Sequence, residues 1–265
     1  MQNTKKKKRF NFYYLISALS VIGFVLLWQY VTAWSGIFSP AQLPSPVRVW
    51  ESLIAKLTGS TVPTGATLGQ HILASLRVSL TGFSIGAAIG VPLGIGMAWN
   101  KKADLFFSPM FDLIRPIPPI AWIPVMIVVF GIGVTANAAI IFMAALVPCI
   151  VNSYTGIKQV NEVHIWVGRI FGASRRDLLI QIAIPTALPN IFTGLRVALM
   201  TSWVSLVAAE MLAATRGLGF MIQASRQMVR PDVVIVGMVT IGVIGAFLAF
   251  VLTKIENKLV KGLKK

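Results

Sequence analysis

The side chains that could do chemistry in this chain are few and widely spaced. There are two histidines, His71 and His164, one cysteine, Cys149, and eight Asp and Glu residues. A metal site needs three or four such ligands at close spacing, and these are scattered, so no metal and no cofactor is expected. Cys149 has no partner for an internal disulfide and lies in an apolar run, where packing is its expected role. Gly82-Phe83-Ser84-Ile85-Gly86 has the spacing of a hydrolase nucleophile elbow, which requires a strand, a sharp turn, a helix and a nearby base. Here it lies inside an apolar run, with no base placed beside Ser84, and reads as spaced glycines. Gly131-Ile132-Gly133-Val134-Thr135-Ala136 is spaced like part of a dinucleotide fingerprint, but no strand precedes it. It reads as a tight extracellular turn between two apolar runs. No Gly-Lys dipeptide occurs, so the chain has no P-loop and does not bind ATP in that manner.

The elements that must position these residues are themselves apolar. Of 265 residues, 56% are hydrophobic and 12% charged, with a mean hydropathy of +0.78. A soluble domain is about 25% charged, so lipid has to cover much of this surface. Six segments are long enough to cross about 30 Å of hydrocarbon: 13–33, 78–98, 111–131, 136–155, 190–212 and 233–253. The expected fold is an all-α membrane protein, a single domain over 13–265 behind a basic tail at 1–12. The third segment carries Pro116, Pro118, Pro119 and Pro124. Missing donors survive in a span only beside protein or a wet cavity, so a break near its start is expected. The first segment follows a basic run, Lys5 to Arg9, but is longer than a signal-peptide core and precedes no A-x-A site. It is read as an uncleaved helix.

A net charge of +16 would suggest nucleic acid in a soluble protein. Distribution argues otherwise, because the basic residues sit in tails and loops between apolar runs. Eighteen fall on the side of the two termini and six on the other. This asymmetry places both ends in the cytoplasm, beside anionic lipid. Within the spans, Gly82, Gly86, Gly90 and Gly94 share one helical face and allow another backbone to approach closely. Gly194, Ala198, Ser202, Ser205 and Ala209 form a second small face, while Arg196, Trp203 and Glu210 recur at steps of seven. A carboxylate inside a span is costly. Glu210 either faces a pathway or pairs with Arg216 as a structural ion pair. Between the first two spans lies an extracytoplasmic segment, 34–77. There Pro44-Ser45-Pro46 followed by Val47, Val49, Trp50, Leu53 and Ile54 predicts a short helix along the membrane interface.

The longest cytoplasmic stretch, 156–189, is basic and amphipathic. Gly172 is expected to break one short helix. Ala173 and Ser174 start a second, and Pro185 ends it before the fifth span. This loop resembles the EAA loop of ABC-transporter permeases of the binding-protein-dependent import class, with pattern E-A-A-x3-G-x9-I-x-L-P. Gly172, Ile182, Ile184 and Pro185 fit, with Ile for Leu; Trp166, Val167 and Gly168 stand where E-A-A would. Leu113 to Pro124, Leu188 to Arg196, Val207 to Leu212 and Gly217-Leu218-Gly219 are similar to the sulfonate, taurine and nitrate branch, whose relatives also include bicarbonate, aromatic-acid and thiamine-precursor permeases.

The resemblance implies the six-helix architecture of a type I importer permease, without enzymatic activity of its own. Implied partners are ABC ATPase subunits, an extracytoplasmic solute-binding protein, a second permease copy and membrane lipid; nucleic acid is not among them. The coupling residues it implies are Gly168, Arg169, Gly172, Ala173, Ser174, Arg175, Arg176, Ile182 and Pro185. Translocation-path candidates are Arg115, Trp122, Ser202, Trp203 and Glu210. Arg115 either faces the cavity, where it suits a small anion, or snorkels to the cytoplasmic headgroups. An ion-coupled secondary transporter is the alternative, but one intramembrane carboxylate and no visible repeat support it poorly.

Overall fold

The computed structural model describes residues 12–262, with side chains over 15–259, so the basic tail at 1–12 lies almost wholly outside the described residues. Among the described residues every regular element is helical. α1 (Phe12–Gln29) widens into a π turn at Tyr30–Trp34. α2 (Pro46–Leu57) begins at the expected Ser45-Pro46, where the Ser45 hydroxyl accepts the Arg48 amide and Pro46 gives up no bond in the first turn. Val47, Trp50 and Ile54 point outward from it, while Ser52 and Lys56 are buried.

Five helices are long and apolar enough to span a membrane, and a bent pair makes six. α3 (Leu68–Trp99) starts ten residues ahead of the expected span. The apolar count opens only after Arg77, whereas the helix is set by a capping box in which Thr67 and Gln70 bond each other's backbone amides. The bent pair is α4 (Lys101–Ile114) and α5 (Ile123–Phe130), linked through a 3-10 turn at Pro119–Trp122 and bent by 83°. Three prolines in the link, Pro116, Pro118 and Pro119, lack the amides that would continue α4, so the break falls near the start of the third span, as expected. Gly131 and Gly133, at φ +74° and +147°, turn the chain into α6 (Val134–Lys158).

One expectation fails downstream. After α7 (Glu162–Ile170) and the single turn α8 (Arg175–Asp177), the chain does not stop at Pro185. A π turn at Leu178–Ala183 leads directly into α9 (Ile184–Ala213). Proline at the second residue of α9 lacks a donor and crowds the preceding turn, and the wider π turn lies where that crowding falls. α10 (Leu218–Gln227), a helix with no counterpart among the sequence expectations, precedes α11 (Pro231–Gly262).

The glycine ladder fixes the packing of the centre. A Cβ on Gly82 would stand 2.7 Å from the Ala138 carbonyl oxygen, on Gly86 2.6 Å from the Ala145 Cβ, and on Gly94 2.5 Å from the Ile150 carbonyl oxygen. The partner residues advance with the glycines, so α3 and α6 run parallel with their backbones in contact. α9 lies antiparallel to α6: Gly194 meets Asn152 and Pro148, and Gly156 meets Asn190 and Ala187. Buried Cys149 fills the space left by Gly90. One face of the bundle therefore collects α2, the α3 and α6 N-termini, α10 and the start of α11. The α7–α8 loop occupies the other.

Candidate functional site

The α7–α8 element is built by two opposed caps. Gly172, at φ +81°, ends α7 in a left-handed conformation that glycine adopts without a Cβ penalty. Its amide reaches the Arg169 carbonyl and the Ala173 amide the Gly168 carbonyl, at 2.9 and 3.0 Å, the paired bonds of a Schellman motif. Ser174 then opens α8 with a capping box closed by Asp177. Gly168 is small for a definite reason. A Cβ there would come 2.5 Å from Leu178 Cδ2 and 2.9 Å from Ile182 Cδ1, so its absence lets α7 lie against the π turn. Arg169, Arg175 and Arg176 are exposed; Ile182, in that contact, and Pro185 are half-buried. Trp166, Val167, Ile170 and Phe171 are exposed on the same element. The result is an apolar knuckle ringed by arginines, continuous in backbone with α9.

Arg115 and Trp122 flank the break between α4 and α5. Both border a cavity of about 180 Å³, walled by the α4–α5 break and by α6 and closed by Thr201 of α9. Arg115 also borders a second cavity of about 340 Å³, whose polar wall includes Ser108, Asp112 and Tyr154. The guanidinium-bearing residue thus sits exposed between two hollows on one flank of α6.

The three candidates on α9 sit differently, each buried among helices. Ser202 faces the Ile141 carbonyl at 3.4 Å, and the Trp203 indole donates to the Ile241 carbonyl at 3.1 Å. Glu210, 1% exposed, forms no ion pair with Arg216. Its carboxyl accepts the Ser75 hydroxyl at 2.8 Å and the Gly219 amide at 2.9 Å, while Ser75 Oγ accepts the Leu218 amide at 2.8 Å. The carboxyl of α9 therefore caps the positive N-terminus of α10 across space. Beside it the Gly217 amide donates to His71 Nδ1 at 3.2 Å, so Nε2 carries the proton and meets Thr64 Oγ1 at 2.8 Å. Even Gly217 is required, because a Cβ on it would lie 2.3 Å from the Glu210 carboxyl carbon.

His71, Ser75, Gly217 and Gly219 were not singled out by sequence as one cluster. They come from two stretches, 71–75 and 217–219; the bonds that Ser75 makes to Glu210 and Gly217 makes to His71 span 135 and 146 residues, and only the Gly219 to Glu210 bond is local. The one available signal was Gly217-Leu218-Gly219, a small-residue turn ahead of a helix, read with an apolar-span carboxylate needing donors.

Residues 90–265 match the family described as binding-protein-dependent transport system inner membrane component. Among curated relatives, the taurine transport system permease protein TauC of Escherichia coli is 38% identical, over 84% of this chain and 81% of its own. The nitrate import permease protein NrtB of Synechocystis is 30% identical over 98% of this chain and 96% of that one. The bicarbonate transport system permease protein CmpB of Synechococcus elongatus is 31% identical over 88% and 85%. In fold, the chain is similar to a chain of the MetNI methionine ABC transporter solved in inward-facing conformations, with a TM-score of 0.60 at 19% identity, covering 75% of this chain and 96% of that one.

Proposed function

This chain belongs to the binding-protein-dependent transport system inner membrane component family and is an ABC importer permease, and from that premise we propose how it works and what it carries. As a permease it is not itself an enzyme; ATP hydrolysis is the work of separate ATPase subunits. The proposed assembly pairs it with a second permease copy, two ATPase subunits and an extracytoplasmic solute-binding protein, in a bacterial inner or plasma membrane. Both termini and the α7–α8 knuckle lie on the cytoplasmic side in this reading, and the α10 face lies outside.

The observation that carries the reading is the capped knuckle itself. Exposed Trp166, Ile170 and Phe171 offer apolar area to a docking groove, and Arg169, Arg175 and Arg176 offer charge to acidic groups around it. Closure of the ATPase subunits on nucleotide then pulls the hinge at Gly172 to Arg176. Because α8 runs into α9 without a break, that pull reaches the bundle. Nucleotide supplies the differential free energy between inward- and outward-facing packings. The cargo is proposed to be a small anion, in keeping with relatives named for taurine, nitrate and bicarbonate. Arg115, exposed between its two cavities, is the residue suited to meet it along the path, with Trp122, Ser202, Trp203 and Glu210 as the remaining path candidates.

The test is Gly172→Pro in the reconstituted complex. Proline cannot adopt φ +81° and lacks the amide that bonds the Arg169 carbonyl. Membrane insertion is expected to be normal, while transport per ATP hydrolysed collapses. Normal coupled transport would sink the proposal.

A further inference from the structure

On the face away from the knuckle, α2 is pinned to the start of α11. The Ser52 hydroxyl donates to Asp232 Oδ2 at 2.6 Å, and Arg230 holds the same carboxylate through Nη2 at 2.8 Å and Nε at 3.0 Å. Asp232 is thereby occupied. One turn along α2 from Ser52, Lys56 is 2% exposed, and its ammonium has no hydrogen-bond partner among the described residues. Burial and the neighbouring Arg230 guanidinium both push that ammonium below its usual range. His71, within electrostatic reach of Lys56, supplies no negative charge. A buried, unpaired cation is among the costliest groups a fold can keep.

Lys56 borders a cavity of about 240 Å³, whose wall also holds Arg230, Ser60, Ser52 and Glu51. That volume is several times the roughly 30 Å³ share of a water molecule in the liquid. It suits a small ion with some hydration. Glu51 is exposed and within ion-pair distance of neither cation.

We propose that this cavity binds a small oxyanion, of the size of nitrate or sulfate, between Lys56, Arg230 and the Ser60 hydroxyl. The anion supplies the counter-charge that Lys56 lacks and that Asp232, taken by Arg230 and Ser52, does not provide. The site shares no wall residue with the hollows beside Arg115. It is read from this chain alone, so its failure leaves the importer reading untouched.

The experiment is a thermal melt of the full-length chain in phosphatidylcholine nanodiscs, with sodium sulfate or sodium nitrate against sodium chloride at matched ionic strength. A ligand that binds only the folded state raises the melting temperature with its concentration. Wild type is expected to rise by several degrees in the oxyanion. Lys56→Met is expected to lose the rise, while melting in chloride at or above wild type because the unpaired charge is gone. Glu51→Gln is expected to reach the full rise at lower anion concentration. No rise in wild type, or an equal rise in Lys56→Met, would overturn the proposal. Should Lys56→Met not fold, crystals of the wild-type chain soaked in selenate decide the matter. An anomalous peak beside Lys56 Nζ supports the site; its absence there, or an adventitious ion only, refutes it.

Discussion

Replacing Glu210 tests whether the buried carboxyl holds the bundle together or handles solute. In Glu210→Ala the Gly219 amide and the Ser75 hydroxyl lose their acceptor in a place water does not reach. Two buried donors left without an acceptor, at about 1–3 kcal/mol each, set the upper end of the loss. Relief of the buried carboxyl's own desolvation offsets part of it, leaving a net destabilisation of about 2–4 kcal/mol. For a chain of this size that is a fall of roughly 5–15 °C in melting temperature. Glu210→Gln keeps one accepting oxygen and should fall by about half as much. The assay is a melt of each variant in detergent, paired with transport per ATP hydrolysed at low temperature. If the carboxyl is a cap for α10, both variants melt early and the folded fraction still couples normally. A Glu210→Gln protein that melts with wild type yet transports nothing would refute the capping account and return the residue to the pathway.

Two further substitutions probe close packing and the hinge. Gly86→Ala drives a Cβ to 2.6 Å from Ala145 and should cost about 1–3 kcal/mol as α3 and α6 are pushed apart. Gly96→Ala on the same helix meets nothing within 4 Å and should be neutral or slightly stabilising; equal melts for the two would contradict the backbone-contact account. Ser174→Ala removes the α8 cap and should speed hydrogen exchange at the Asp177 amide about fivefold, with the global melt unchanged. Unchanged exchange would mean that the cap is not what holds the turn.

The sequence made legible whatever depends on local composition or spacing. The glycines at steps of four announced a contact face, and the prolines at 116, 118 and 119 announced a broken span. Gly172 and Ser174 announced a turn between two short helices. Pro185 misled, because a proline signals a missing donor but not whether a wide turn ahead of it can absorb the loss. The start of α3 was hidden by Arg77, although Thr67 and Gln70 carried a capping signal that a hydropathy count ignores. The cluster of Glu210, Ser75 and His71 could not be read at all. Its bonds join stretches far apart in sequence, and a span's polar residues declare only that they need partners, not which ones.

α9 has a consequence as a mechanical part. Its 30 residues make a rod about 45 Å long at 1.5 Å per residue, joined at one end to the knuckle and tied at the other through Glu210 to α10. It rests on α6 along its length, with Asn190 and Ala187 against Gly156, Gly194 against Asn152 and Pro148, and Ser202 against the Ile141 carbonyl. A rod so seated tilts together with α6. A tilt of about 5° would swing one end by about 4 Å relative to the other over that length. A pull on the knuckle would then be carried along the length of the rod to α10 at its other end.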